Sequence, residues 1–273
     1  MLKSIIALYG VPRSGTSWMG QIIDSCPQVT YRFQPLFSYR FKNRITLEMT
    51  EKEVKEFFEE LYLERNDDFL NQTSKRICGE YPLFGDKLED LPVLAYKEVR
   101  YLYTIPYLLE IYNKIKIIGI VRNPYDVIES WINAPSEYSL DWNIYDQWKF
   151  ATKKNEFRPE NYYGYYKWKE YLVMAFEMEK RYPNKFFLLK YEDLIKDPEK
   201  EVKAVFKFCG LKYTEQTRGF LFDSQTKSAQ SEYGVYRNKN EKRKRKMYLP
   251  EDIKEEISRD LRGFLEAEKL GYK

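Results

Sequence analysis

A glycine-rich stretch near the start of the chain is the feature that most constrains its fold. Residues 4–9 form a short apolar run that passes directly into Gly10-Val-Pro-Arg-Ser-Gly-Thr-Ser-Trp18. We predict a strand over residues 4–9 and a helix from Thr16 to Ser25, because a phosphate-binding turn between a strand and a helix has this glycine spacing. The backbone N–H groups of such a turn and of the helix start surround one point, where they favour a phosphate or a sulfate.

The loop departs from the sequence that hydrolyses nucleotides. A Walker A loop contains Gly-Lys-Ser/Thr, in which the lysine reaches the terminal phosphates and the hydroxyl holds magnesium. Here Gly15 is followed by Thr16 and Ser17, and the basic residue, Arg13, lies inside the loop. This departure argues against ATP hydrolysis, so a nucleotide kinase or NTPase is the alternative enzyme. A glycine turn that binds nothing is the alternative without function.

The rest of the chain alternates short apolar runs with longer helical patterns. The runs predict central strands at 4–9, 115–121 and 185–190, with a weaker candidate at 76–79. Besides the helix from Thr16, helices are predicted at 50–63, 98–113, 125–133, 162–182, 199–208 and 250–268. Alternation of this kind predicts the α/β class, with a central parallel sheet flanked by helices, and we expect one domain over residues 1–273.

Composition excludes several functions. The sequence contains no histidine, which excludes Ser-His triads, histidine bases and histidine metal sites. Its net charge of +4, from 46 basic and 42 acidic residues, is too small for general nucleic-acid binding. Cys26, Cys78 and Cys209 have neither metal-ligand nor disulfide spacing, so we expect buried reduced thiols in a reducing compartment. We find no apolar stretch of about 18 residues, and we expect a cytoplasmic protein without a transmembrane segment.

A second candidate anion site lies at the end of the strand predicted at 115–121. Arg122 leaves the sheet at its carboxyl end, where ligands bind in open α/β folds, and Ser130 follows two helical turns later. Both side chains can therefore face one anion. A kinase or NTPase would place an acid here for magnesium, whereas an arginine and a serine suit a second phosphate held without metal. A surface arginine on a turn is the alternative.

Together, these motifs resemble the sulfotransferases that use 3'-phosphoadenosine 5'-phosphosulfate (PAPS) and release 3'-phosphoadenosine 5'-phosphate (PAP). Arg13-Ser14-Gly15-Thr16-Ser17 is similar to their 5'-phosphosulfate loop, and Arg122 with Ser130 is similar to their 3'-phosphate motif. The likeness is greatest to the branch that contains the Golgi tyrosylprotein and carbohydrate sulfotransferases, of which this chain looks like a soluble, bacterial-type member. The resemblance implies the P-loop NTPase-like sulfotransferase fold, PAPS as sulfuryl donor without a metal, and a hydroxyl-bearing acceptor such as a carbohydrate.

The resemblance also assigns roles to residues outside these two motifs. Lys97 lies where that branch places a catalytic lysine, and Tyr191 lies where a tyrosine touches the cofactor. A looser likeness towards the carboxyl terminus adds Ser231 and Arg237 to the cofactor-binding residues. Sulfuryl transfer in line between two oxygens needs mainly positioning and neutralised charge on the leaving phosphate, which Arg13, Thr16 and Lys97 can supply without metal.

One position departs from the pattern of that branch. Where the branch has a glutamate before a proline as its general base, this chain has Gln34. An amide cannot accept a proton near pH 7, although it can orient a hydroxyl. Glu80, Asp86 and Glu98 are the candidates for a base from elsewhere, and each also fits a surface or ion-paired acid. An acceptor acidic enough to need no base, and a PAP- or PAPS-binding protein without catalysis, are the alternatives.

The sequence leaves the acceptor open. Residues 31–45 mix aromatic and basic side chains, and residues 138–171 are rich in tyrosine. Aromatic faces stack on apolar rings, so either segment could line a cleft for a glycan, a lipid-linked acceptor or another small acceptor, with burial in the core as the alternative. Residues 237–246 carry seven positive charges and one negative charge. They fit either a solvated loop or a flap in which Arg237 closes over the cofactor.

Overall fold

A five-stranded parallel sheet is the centre of the fold. The computed structural model describes residues 2–85, 87–88, 93–228, 233–238 and 247–273. The described strands are β1 Ser4–Tyr9, β2 Val29–Phe33, β3 Val93–Glu98, β4 Ile115–Val121 and β5 Phe186–Lys190. All neighbours pair in parallel in the order β2-β3-β1-β4-β5, so β1 lies in the middle. The predicted α/β class with a central parallel sheet is confirmed.

Helices connect the strands and cover the sheet. The described helices are α1 Thr16–Asp24, α2 Glu51–Leu63, α3 Asp68–Asn71, α4 Thr73–Ile77, α5 Ile105–Ile111, α6 Pro124–Ile132, α7 Ile144–Gln147, α8 Thr152–Asn155, α9 Tyr165–Arg181, α10 Tyr191–Lys196, α11 Pro198–Cys209, α12 Glu215–Thr226, α13 Glu251–Leu261 and α14 Leu265–Lys269. Short 3-10 turns lie at Pro35–Phe37 and Leu102–Thr104. The predictions for α1, α2, α6, α9 and α11 are confirmed, with small differences at their ends.

One sequence prediction is wrong in type, and two predicted helices are wrong in their bounds. The weak strand candidate at 76–79 ends helix α4 and enters a turn at Gly79, whose φ is +78°. The helix predicted at 98–113 begins only at Ile105, because residues up to Glu98 belong to β3. Strand β3, Val93–Glu98, was not predicted, since its polar end resembles the exposed face of a helix although all six residues are buried. The helix predicted at 250–268 is broken between α13 and α14, where Gly263 has φ +78°.

Apolar side chains of the sheet pack into two hydrophobic cores, one on each face of the sheet. On β1, Ile5 and Tyr9 point into one core, and Ile6 and Leu8 point into the other. Strands that are buried on both faces are what a parallel sheet covered by helices requires. Within the described residues, no helix is both long enough and apolar enough to cross a membrane.

The segments considered for the acceptor divide between core and surface. Most of their aromatic rings are buried: Tyr31, Phe33, Phe41, Tyr138, Trp148, Tyr162, Tyr163, Tyr165, Trp168 and Tyr171. Six rings are exposed: Phe37, Tyr39, Tyr145, Phe150, Phe157 and Tyr166. Burial in the core therefore accounts for most of these rings. The expectation of three buried thiols is correct for Cys26 and Cys209 but wrong for Cys78, which is exposed after helix α4.

Candidate active site

The predicted site residues lie at one edge of the sheet. The loop after β1 carries Arg13, and the turn after β2 carries Gln34. Lys97 lies near the end of β3, Arg122 follows β4, and Tyr191 follows β5. Because the five strands are parallel, their carboxyl ends meet at the same edge, which is where open α/β sheets bind ligands. The fold thus brings residues that are far apart in sequence to one side of the sheet.

The loop between β1 and α1, here called the glycine loop, is closely packed at both of its glycines. A Cβ on Gly10 would lie 2.7 Å from the carbonyl oxygen of Ile120, and one on Gly15 would lie 2.3 Å from the ring of Tyr191. Gly15 also has φ +92°, a conformation that other residues rarely adopt. Arg13 itself has φ +74°, and left-handed backbone at a non-glycine residue is concentrated at functional loops.

The glycine loop presents donors that lack partners. No side chain caps the start of α1, so the amide N–H groups of its first turn have no partner within the helix. Among the described residues, the buried hydroxyl of Ser14 and the buried Nε of Arg122 also have no hydrogen-bond partner. Buried donors without partners are costly, and the oxygens of a phosphate or sulfate would satisfy all of them. The residues present therefore fit an anionic phosphate group at this loop.

Arg13 links the glycine loop to the second predicted anion site. Its Nε donates to Oγ of Ser130 at 3.1 Å, and NH1 of Arg122 donates to the carbonyl oxygen of Arg13 at 3.0 Å. The guanidinium of Arg122 lies 4.7 Å from the ring centroid of Tyr191 and pairs with Asp126 at 3.6 Å. The two motifs thus form one largely buried cluster around two guanidinium groups, which are suited to binding phosphate oxygens.

Arg237 approaches this cluster from the carboxyl-terminal part of the chain. Its backbone N–H donates to the carbonyl oxygen of Ser224 at 2.7 Å, which holds it against helix α12. The side chain of Arg237 is exposed. The role of Arg237 towards the 3'-phosphate stays a prediction.

Tyr233 covers the glycine loop from the same segment. Its ring centroid lies 5.5 Å from the guanidinium of Arg13, and its hydroxyl accepts a hydrogen bond from the N–H of Ser136 at 3.0 Å. No sequence motif marked Tyr233. Ser231 and residues 239–246 lie outside the described residues, so the cofactor role of Ser231 and the basic flap stay predictions.

Lys97 is buried beside the glycine loop. Only 3% of its surface is exposed, its Nζ donates to Oγ of Ser17 at 3.2 Å, and the ring centroid of Phe33 lies 4.4 Å from Nζ. Burial lowers the pKa of Lys97 to about 7; Glu98 and Glu137 oppose this shift, and Arg13 is among the cations that add to it. The amine is therefore poised to gain a proton when an anion arrives.

We predict that PAP binding draws protons from solution above pH 7. Lys97 is largely neutral at pH 8 in the free protein, and the charge of PAP should raise its pKa modestly, so uptake should reach a fraction of a proton per PAP, about 0.4 at pH 8. Affinity should correspondingly weaken as the pH rises from about 7.5 to 9. Calorimetric titration in buffers of different ionisation enthalpy measures this uptake. The same uptake in Lys97→Met would show that another group is responsible.

The turn at Gln34 rests on a buried carboxyl group. Gln34 has φ +43°, and its N–H donates to the carbonyl oxygen of Lys97 at 2.9 Å. The N–H of Leu36 donates to Oε1 of Glu98 at 2.7 Å. Glu98 is completely buried, and desolvation raises its pKa to about 8. Describing Glu98 as a surface or ion-paired acid is therefore wrong: near pH 7 it is mainly protonated and supports the turn. Asp86 lies outside the described residues.

Glu137 is a site residue that the sequence analysis missed. It lies in the turn after helix α6, and its Oε1 is 3.4 Å from NH1 of Arg13. Its Oε2 is buried and has no hydrogen-bond partner among the described residues. No motif pointed to Glu137, because its position depends on how the chain folds back after α6. The site therefore contains a carboxylate beside the two cations assigned to catalysis.

Comparisons with known proteins agree on one family. A family model described as the sulfotransferase family matches residues 6–215. A cytosolic sulfotransferase from Arabidopsis thaliana is 27% identical over 228 residues, which are 79% of this chain and 56% of the plant protein. A putative protein-tyrosine sulfotransferase from Caenorhabditis briggsae is 23% identical over 230 residues, which are 78% of this chain and 68% of that protein. The match thus spans little more than half of the plant relative.

Solved structures of low sequence identity share the fold. A sulfotransferase from Alicyclobacillus acidocaldarius is 15% identical, with a TM-score of 0.55 over 100% of this chain and 98% of that one. A mouse sulfotransferase complexed with PAP is 16% identical, with a TM-score of 0.52 over 94% of this chain and 82% of that one. The P-loop-like sulfotransferase fold expected from the sequence is therefore confirmed.

Proposed function

Because this chain belongs to the sulfotransferase family, we propose that it is a PAPS-dependent enzyme that transfers a sulfuryl group to an acceptor hydroxyl and releases PAP. One observation carries the proposal: the uncapped glycine loop and the adjoining Arg122, which donates to the carbonyl oxygen of Arg13, hold buried donors on Ser14 and Arg122 that have no partner among the described residues. Such a site matches the two separated phosphates of PAP. The mouse sulfotransferase of the same fold was solved with PAP, which supports the choice of donor.

Each side chain has a distinct proposed task. Amides of the glycine loop, with Ser14 to Ser17, hold the 5'-phosphosulfate, while Arg122, Ser130 and Arg237 hold the 3'-phosphate. Tyr191 packs against both Gly15 and Arg122 and positions them together. Arg13 and Lys97 neutralise the charge that develops on the departing phosphate. PAPS supplies an activated sulfur–oxygen bond, so the protein needs to supply orientation and charge rather than a covalent intermediate.

The acceptor approaches from the side of Gln34. There, Phe37 is partly exposed, and the guanidinium of Arg100 lies 3.9 Å from its ring centroid. The N–H of Phe37 donates to the carbonyl oxygen of Gln34 at 3.0 Å, so this pair borders the turn that faces Lys97. An aromatic face with a cation at the mouth suits a phenolic, glycan or other small hydroxyl compound. Gln34 orients the hydroxyl in this proposal.

Thermal shift with PAP tests the proposed donor. PAP should stabilise the protein without added metal, by about 2.7 kcal/mol at a hundredfold excess over Kd, because ligands stabilise the state that they bind. EDTA should leave the shift unchanged, and ATP with magnesium should give a smaller one. A shift that EDTA abolishes would contradict the metal-free site, and a larger shift with ATP and magnesium would favour a kinase or NTPase.

Turnover separates an enzyme from a binding protein. Radiolabelled PAPS is incubated with defined hydroxyl compounds, among them a tyrosine-containing peptide, N-acetylglucosamine and simple phenols. Transfer of label to any of them, or release of inorganic sulfate above the spontaneous rate, supports the enzyme. PAP binding with neither reaction would favour a PAP-binding protein without catalysis. This is the second candidate function, because Gln34 lies where related enzymes have their general base.

A further inference from the structure

The site has two carboxyl groups that could compensate for the amide at Gln34. Of the described carboxylates, Glu98 and Glu137 each have a buried oxygen without a hydrogen-bond partner. Glu98 is completely enclosed and is mainly protonated near pH 7, so it cannot take a proton from an acceptor. The Glu137 side chain is about 20% exposed although its Oε2 is buried, so of the two carboxyl groups Glu137 is the one that an acceptor can approach. Of the two, only Glu137 is therefore suited to accept a proton from the acceptor.

Glu137 contacts Arg13, one of the two cations assigned to the sulfuryl transfer. Its Oε1 is 3.4 Å from NH1 of Arg13, and its negative charge is close enough to Lys97 to raise the pKa of that amine. An acceptor hydroxyl attacking a sulfuryl group held by Arg13 and Lys97 must enter the same region. Oε2 of Glu137, which faces no partner among the described residues, is the acceptor atom available there.

Hydrogen bonds fix the backbone position of Glu137, and its side chain is held by the contact with Arg13. The N–H of Glu137 donates to the carbonyl oxygen of Ala134 at 2.8 Å, and Nε1 of Trp131 donates to the carbonyl oxygen of Glu137 at 3.2 Å. The neighbouring N–H of Ser136 is held by Tyr233. Helix α6, which positions Ser130 beside Arg13, thus also positions Glu137. A catalytic group needs support of this kind to stay within reach of its proton.

We propose that Glu137 is the general base of the sulfuryl transfer, in the place of the carboxylate that Gln34 lacks; this inference rests on the proposed function. As the acceptor oxygen forms its bond to sulfur, the bond between sulfur and the 5'-phosphate oxygen breaks, and PAP leaves with that electron pair. The hydroxyl proton passes to Oε2 of Glu137 and then to solvent. The products are the sulfated acceptor, PAP and one proton, so atoms and charge balance.

The test compares Glu137→Gln with the wild type, using radiolabelled PAPS with water as acceptor and release of inorganic sulfate as the signal. We expect kcat to fall on the order of 10²-fold, the usual contribution of a general base, while the PAP dissociation constant by calorimetry does not weaken. The fall of kcat at low pH, which reports ionisation of the base, should disappear in the variant. Glu156→Gln, at an exposed carboxylate paired with Arg158, is the matched control and should behave as wild type.

A double variant distinguishes a base from a mere partner of Arg13. The double variant Gln34→Glu with Glu137→Gln should have a kcat at least tenfold higher than Glu137→Gln alone. It returns a carboxylate to the acceptor side without restoring the contact with Arg13. Glu137→Asp keeps the carboxylate on a shorter side chain, so its kcat should fall less than that of Glu137→Gln. It also serves as the test if Glu137→Gln fails to fold.

Three outcomes would overturn the inference. The first is Glu137→Gln with at least a third of the wild-type kcat and an unchanged pH profile, the behaviour of a simple counter-ion. The second is a loss that Gln34→Glu does not recover and that Glu137→Asp shares in full. The third is a wild type that binds PAP but neither releases sulfate nor transfers it to any of the hydroxyl compounds, because there is then no reaction for Glu137 to assist. Absence of PAP binding, in contrast, contradicts the proposed function itself.

Discussion

Lys97→Ala is expected to lower kcat by about 10²- to 10³-fold while changing the PAP dissociation constant much less. The buried ammonium is held beside Ser17, in place to neutralise charge that appears only as the sulfur–oxygen bond breaks. The interaction between Lys97 and the leaving phosphate is therefore strongest in the transition state, so its removal should lower kcat. Sulfate release from radiolabelled PAPS gives kcat, and calorimetry gives the PAP dissociation constant.

Lys97→Met is the companion variant, since methionine fills the space of the lysine side chain without its charge. The pKa of Lys97 is depressed in the folded protein, so its cost to folding is absent above pH 10.5 and grows as the pH falls towards 7. Lys97→Met should consequently unfold at the same temperature as wild type or higher at pH 7. A slow but stable Lys97→Met would exclude unfolding as the cause. Full activity in either variant would refute the catalytic role.

The contiguous motifs were readable from the sequence because their chemistry depends on near neighbours. Gly10 and Gly15 predicted a strand, a tight loop and a helix, and the fold contains them in that order. Arg122 and Ser130 are close in sequence, at the end of β4 and on the following helix, so the fold keeps both near the loop after β1. Both motifs meet at Arg13, as the parallel order of the strands requires.

Other parts of the site depend on contacts that sequence spacing does not encode. Lys97 was identified by resemblance rather than by pattern, because the strand that carries it ends in charged residues and was not predicted. Burial of Glu98 follows from the 3-10 turn that folds over it, and no local pattern distinguishes it from a surface acid. Glu137 meets Arg13 only because the chain turns back after α6. Tertiary packing decides the environment of all three.

The buried charged groups also explain why such a site is costly to keep. Lys97 and Glu98 are adjacent in sequence and both are buried, yet they are not paired within salt-bridge distance among the described residues. Burial lowers the pKa of Lys97 and raises the pKa of Glu98, so it favours the uncharged form of each group. Groups perturbed in this way concentrate at functional sites, where chemistry rather than stability maintains them. A binding loop alone would not require a buried lysine.

Arg122→Ala is expected to weaken PAP binding by about 10²-fold while weakening adenosine 5'-phosphosulfate binding by less than about fivefold. Only PAP carries the 3'-phosphate, and charge-assisted hydrogen bonds to such a group are worth roughly 1.5–3 kcal/mol each. Displacement calorimetry on both ligands measures the two losses. Arg122→Lys keeps the charge but removes the planar fork, so its loss for PAP should be intermediate.

The comparison of the two ligands is needed because Arg122 has a second contact. NH1 of Arg122 donates to the carbonyl oxygen of Arg13, so the alanine variant also removes support from the glycine loop that holds the 5'-phosphate. Loosening of the loop would weaken both ligands equally, whereas loss of a direct contact weakens only PAP. Ser130→Ala leaves that backbone contact in place. It should still weaken PAP binding more than adenosine 5'-phosphosulfate binding, but by a smaller factor than Arg122→Ala does. Equal losses for both ligands in both variants would assign Arg122 to the loop and leave the 3'-phosphate to Arg237.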